Sequence, residues 1–113
     1  MKIIKNFKMF ESIVGFTDNA VSIRKSVKKS IKESDIESFK ELVSDIDDDK
    51  SKSFVLYIST EYGRLNFVKY LFDIYHYSPE KIQSAIDWVS HSPIAKINME
   101  EVEEVLVYLR GKL

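Results

Sequence analysis

Residues 54–75 read FVLYISTEYGRLNFVKYLFDIY, two short amphipathic segments broken at a single glycine, Gly63. Leu65, Val68, Leu71, Phe72 and Tyr75 keep the three-and-four step that lays one apolar stripe along a helix. Two short one-sided helices joined by a hinge make a unit that buries its stripe by stacking on others of its kind, so the pattern should recur at a fixed offset. Shifting back by 29 positions lays Ser34 on Gly63, Ile36 on Leu65, Phe39 on Val68, Leu42 on Leu71 and Val43 on Phe72. The same shift puts Val27 on Leu56 and Ser30 on Ser59. Downstream, an offset of 30 lays Ile86 on Leu56, Trp88 on Ile58, Val89 on Ser59 and Ser90 on Thr60, and later Tyr108 and Leu109 fall on Tyr70 and Leu71. The change of offset implies a longer interhelical loop over residues 92–97, with Pro93 where the hinge glycine would stand.

The central unit resembles the body of an ankyrin repeat, whose helices run as PLHLAAxxGHxxVVxxLL. Leu56 and Ile58 stand at its first-helix core positions and Ser59 and Thr60 at its small-residue pair. Gly63 matches its hinge, and Leu65, Val68, Leu71 and Phe72 match its second-helix core. The departures are equally definite. Phe54, Val55 and Tyr57 replace the opening threonine, proline and histidine, and the units are 29 or 30 residues long against about 33. The projecting β-hairpin fingers should therefore be shortened to plain loops. The resemblance, which covers residues 22–109, implies an all-α short solenoid of antiparallel helical hairpins, about three degenerate repeats with an N-terminal capping helix. It also implies a non-catalytic protein–protein interaction module. The variable positions before the hinge would then face the groove: Glu61 and Tyr62 in the centre, Lys32 and Glu33 upstream, His91 and Ser92 downstream. Tyr62 is the strongest contact candidate, because tyrosine offers area and a hydroxyl at small conformational cost.

Capping chemistry places the helix ends. Ser34-Asp35-Ile36-Glu37 and Asn98-Met99-Glu100-Glu101 read as capping boxes, and Ser78-Pro79-Glu80 puts a cap before a proline at the first helical position. Apolar steps then fill helices through Ile82, Ala85, Ile86 and Val89 and through Met99, Val102, Val105, Leu106 and Leu109. Trp88 lies close enough to that phase to be expected in the core. A first helix through Ile4, Phe7, Phe10, Ile13 and Val14, ending at Gly15, should cap the stack. The organisation expected is one domain over 1–113, with an N-terminal helix at 1–15 and repeats at 20–45, 53–77 and 79–110.

Composition narrows the function. There is no cysteine for a disulfide or thiolate metal site, no run of 18 apolar residues, and no convincing secretory signal in MKIIKNFKMF. A cytoplasmic protein with no membrane partner is the expectation, in host cytoplasm if viral. Abundant lysine, isoleucine, serine and aspartate match an AT-rich coding genome such as a phage or low-GC bacterium. His76 and His91 have neither HExxH spacing nor a cysteine to complete a zinc site, and no glycine-rich phosphate loop occurs. The aspartates at 45–49 fail as a calcium loop, since Lys50 and Leu56 replace the required glycine and glutamate. No enzyme activity, cofactor or metal is expected.

Charge is unevenly placed. Residues 1–32 carry eight cations and two acids, a net +6, and residues 33–50 carry two cations and eight acids, a net −6. On one helix Ile23, Val27 and Ile31 form the apolar stripe while Arg24, Lys25, Lys28, Lys29 and Lys32 occupy the rest. That helix reads as a solvated face neutralised by the acidic segment folded beside it, or as an anion-binding face for nucleic acid through Arg24, Lys25, Lys28 and Lys29. A pI of about 6.1 weighs against a dedicated nucleic-acid domain. The partner expected first is a protein, with the chain acting as a small regulator or inhibitor. A homodimer stays open, because a short stack has two exposed ends.

Overall fold

The structure, a computed structural model, describes residues 18–113. The expected capping helix at 1–15 lies outside the described residues. Among those described the chain is all-helical, with seven helices and no strand: α1 (Asp18–Lys32), α2 (Ile36–Val43), α3 (Asp49–Glu61), α4 (Leu65–Ile74), α5 (Pro79–Ser90), α6 (Pro93–Ile97) and α7 (Met99–Gly111). α1 packs on α2, and α3 on α4, each pair joined by a tight turn; α5 and α7 pair with α6 between them. α3 lies at the centre, touching α1 on one side and α5 on the other, and α4 packs against α7. The ring of Phe39 on α2 meets Phe67 on α4 at 4.5 Å between centroids, which ties the second helices together.

Both hinges use the same backbone device. At the end of α3, Gly63 sits at φ +68°, its N–H reaching the Thr60 carbonyl and the Arg64 N–H reaching back to Ser59. This is a Schellman turn, in which a left-handed residue lets two N–H groups satisfy the helix's last carbonyls. At the end of α1, Ser34 takes φ +57°, its N–H bonds Ile31, and the Asp35 N–H bonds Ser30. Ser34 thus occupies the conformation of Gly63, 29 positions earlier. Its role corrects the expected capping box: because Ser34 is turned into the left-handed region, the cap of α2 is Asp35, which accepts from the Ser38 N–H at 3.2 Å. Asn98 likewise makes no side-chain cap to α7, since its Nδ2 donates backward to the Ile94 carbonyl. The Ser78 cap before Pro79 is present, accepting from the Lys81 N–H.

Two further boundaries differ from the sequence reading. α3 begins at Asp49, ahead of the expected 53, because Asp48 caps it by accepting from the Ser51 N–H at 2.9 Å. Residues expected as the loop 92–97 form α6, begun by Ser92, which accepts from the Ala95 N–H, with Pro93 in the first turn. Proline's missing N–H would be unpaired there in any case.

The core follows the three-and-four pattern. Val27, Ile31, Phe39, Val43, Val55, Leu56, Val68, Leu71, Ala85, Val105 and Leu109 are fully buried in one cluster. Val89, Ala95, Val102 and Leu106 form a second, and Ile86 packs against both. Burying a side chain such as Phe39 or Leu71 contributes about 2–3 kcal/mol.

Candidate interaction face

Polar contacts between neighbouring helix pairs keep one spacing. Hydrogen bonds from Arg24 to Ser51, Arg64 to Ile31, Tyr75 to Val43, Tyr77 to Lys52, Lys81 to Ser53, Trp88 to Glu61 and Ser92 to Glu61 all join residues 25 to 33 positions apart. Each ties one pair to the next. The Arg64 Nε and Nη2 donate to the carbonyls of Ile31 at 2.8 Å and Lys32 at 3.0 Å, so the second hinge closes the end of the helix before it. Such charge-assisted bonds at a helix C-terminus oppose its partial negative charge.

The first helices α1, α3 and α5 carry an aromatic run on their exposed side. The Arg24 guanidinium lies over Phe54 at 5.4 Å, Phe54 and Tyr57 share a face of α3, and Tyr57 stacks on Trp88 of α5 at 5.3 Å and 23°. Trp88 is 45% exposed. This corrects its expected place in the core: the apolar side of α5 is filled by Ile82, Ala85 and Val89, and the indole emerges beside them. It is nevertheless fixed. The indole Nε1 donates to the Glu61 Oε2 at 3.1 Å, and the Ser92 hydroxyl donates to the same oxygen at 2.6 Å. Glu61 is only 4% exposed. With its N–H committed inward, Trp88 exposes the rest of its ring as an apolar shelf whose rotamer is held in place.

The structure brings Glu61 and Ser92 together as the buried support of that shelf. Tyr62 caps α3 half-buried, and His91 caps α5 exposed, its Nδ1 3.0 Å from the Ser90 hydroxyl and 3.2 Å from the Asp87 carbonyl. Lys32 and Glu33, at the end of α1, are exposed. Tyr57 and Trp88 are the residues this face adds. The signal that could have separated Trp88 from the core was its position two residues from both Ile86 and Ser90, off the stripe kept by Ile82, Ala85 and Val89.

Along the edge formed by the connectors, Asp48 shows how the acidic segment meets α1. Burial alone would raise its carboxyl, but bonds from the Ser51 N–H and hydroxyl, with the Arg24 guanidinium, hold it below the ordinary aspartate value. Arg24 Nη2 lies 3.9 Å from the Asp48 Oδ2. Arg24 is therefore engaged within the fold, whereas Lys25, Lys28, Lys29 and Lys32 are exposed on the far side of α1 and form no ion pair among the described residues. The Tyr75 hydroxyl donates to the Val43 carbonyl, and burial, helped by Tyr70 and Asp48, pushes its pKa up to about 12. No group of three or more His, Cys, Asp or Glu among the described residues could hold a metal ion. No described helix is long and apolar enough to cross a membrane. Compared with known proteins, the chain matches no protein-family model, no curated protein and no solved structure.

Proposed function

We propose that this chain is a non-catalytic protein–protein interaction module, an ankyrin-like stack of three helical hairpins that regulates or inhibits a protein partner through its first-helix face. The observation that carries this reading is the exposed Trp88, stacked on Tyr57 and held by the buried Glu61. A large aromatic fixed in place loses little freedom on binding, the profile of an interface anchor. Tyr62 and His91 flank the shelf at the helix ends, and Lys32 and Glu33 extend the face toward α1. The paired left-handed turns at Ser34 and Gly63 and the recurring 25-to-33-residue contacts support the repeat reading.

The test is affinity capture from native-host lysate with the wild-type chain, Trp88→Ala and Tyr62→Ala, with and without nuclease and at two salt concentrations. The reading expects one protein retained through nuclease, reduced about tenfold or more by Trp88→Ala, whose circular dichroism stays helical. Equal recovery on both variants contradicts it. A second reading, nucleic-acid association through Lys25, Lys28 and Lys29, draws on their exposure and on their forming no ion pair among the described residues. Recovery of nucleic acid alone, lost at the higher salt, would favour it.

A further inference from the structure

The chain is close to neutral, at −1, but its opposite charges are kept apart along the sequence. Residues 1–32 hold +6, which leaves −7 on residues 33–113. Among the described residues the basic share falls on α1, with Arg24, Lys25, Lys28, Lys29 and Lys32. α1 packs on α2 and α3 through Val27 and Ile31, and Lys25, Lys28, Lys29 and Lys32 cover its opposite side. α7 packs through Val102, Val105, Leu106 and Leu109, and its opposite side carries Glu100, Glu103 and Glu104, with Arg110 one turn on, around Val107, which is 65% exposed. Lys25 to Lys32 and Glu100 to Val107 each rise over seven residue steps, about 10.5 Å along a helix.

We infer that the outer face of α1 binds the outer face of α7 in a second copy of this chain. The occupant follows from charge complementarity: a lysine row that forms no ion pair among the described residues meets a glutamate-bearing patch of similar length, and the contact covers Val107. Glutamates alone would be an ordinary solvated face. The uncovered valine and the matching cationic face on α1 are what commit them. A polyanion would meet the lysines too, but the −7 on the remainder of the chain repels it while attracting the basic face of another copy. Because the two faces differ, the contact is heterologous and adds copies head to tail instead of closing a two-fold dimer. Exposed charges govern it, so it is strongest at low salt, where the screening length exceeds the width of the contact.

The experiment is sedimentation velocity on the full chain from 10 to about 500 μM, at about 20 mM and 500 mM salt, a range over which screening of exposed pairs changes strongly. Wild type should show concentration-dependent association at low salt that is lost at high salt. Lys25→Glu with Lys29→Glu, and separately Glu100→Lys with Glu104→Lys, should each weaken it about tenfold or more, since each places like charges face to face. The four-fold exchange on one chain should restore association, which also shows that the exchanged surfaces still fold. A monomer at every concentration, association indifferent to either double variant, or failure of the well-folded four-fold variant to reassociate overturns the proposal. So does a lysine variant whose only loss is binding to a DNA duplex while wild type stays monomeric.

Discussion

The hinges after α1 and α3 have the same hydrogen bonds and left-handed φ, yet one is built on Ser34 and the other on Gly63. The difference lies in what surrounds them. A Cβ at Gly63 would overlap the Glu101 Cβ and stand 2.9 Å from the Glu101 carbonyl carbon, because α7 closes directly over that turn. Ser34 is exposed, with its side chain at the surface. The turn itself therefore accepts a non-glycine residue with some strain, and the glycine is demanded by close packing of the third pair. The third pair abandons the device. His91 and Ser92 close α5 without a left-handed residue, and Pro93 starts the short α6.

The largest expected effect tests that contrast where packing and conformation act together. Gly63→Ala should destabilise the chain by about 2–4 kcal/mol in urea unfolding, combining left-handed strain with overpacking against Glu101. A loss no greater than strain alone, about 1 kcal/mol, would show that α7 can move away. Next comes the contact by which the second hinge closes α1. Arg64→Ala should cost about 1–2 kcal/mol by removing two charge-assisted bonds to Ile31 and Lys32, a figure kept low because the side chain is partly exposed. An unchanged urea midpoint would show that water replaces it.

Equivalent positions inside α1 and α3 should answer the same substitution with opposite signs. The Ser30 hydroxyl donates to the Val27 carbonyl at 2.7 Å, while the Ser59 hydroxyl is buried without a hydrogen-bond partner among the described residues. Ser59→Ala should stabilise by about 1 kcal/mol and Ser30→Ala should give no gain or a small loss, read as thermal midpoints. Stabilisation of equal size at both would remove the distinction. The smallest effect belongs to the exposed hinge: Ser34→Gly relieves its strain and should stabilise by about 0.5 kcal/mol after the extra flexibility of the unfolded chain is counted. A destabilisation would mean that the serine's restriction of the unfolded chain outweighs its strain in the fold.

Helical class and the 29-residue correspondence were legible because they rest on local periodicity and on one hinge glycine. Placing Ser34 on Gly63 marked the position where the chain turns left-handed, but the same serine also satisfied a capping pattern, and a residue cannot do both. Asp35 took the cap. What stayed hidden depends on partners far along the chain. Glu61 reads as a surface acid, and only the fold brings Trp88 and Ser92, 27 and 31 positions on, to bury its carboxylate. Trp88 stands off the stripe of Ile82, Ala85 and Val89, so periodicity could place it outside the core, but its stacking on Tyr57 and its bond to Glu61 depend on α3 and were not legible.

Trp88 is the chain's only tryptophan, so its fluorescence reports directly on the proposed face. The decisive measurement is its emission and acrylamide quenching, free and saturated with the captured partner. Binding through the Tyr57–Trp88 shelf predicts a blue shift and a quenching constant reduced about twofold or more, as the exposed ring leaves water. Emission and quenching unchanged at saturation, with a tryptophan-free or independently corrected partner, would place the contact elsewhere and contradict the account.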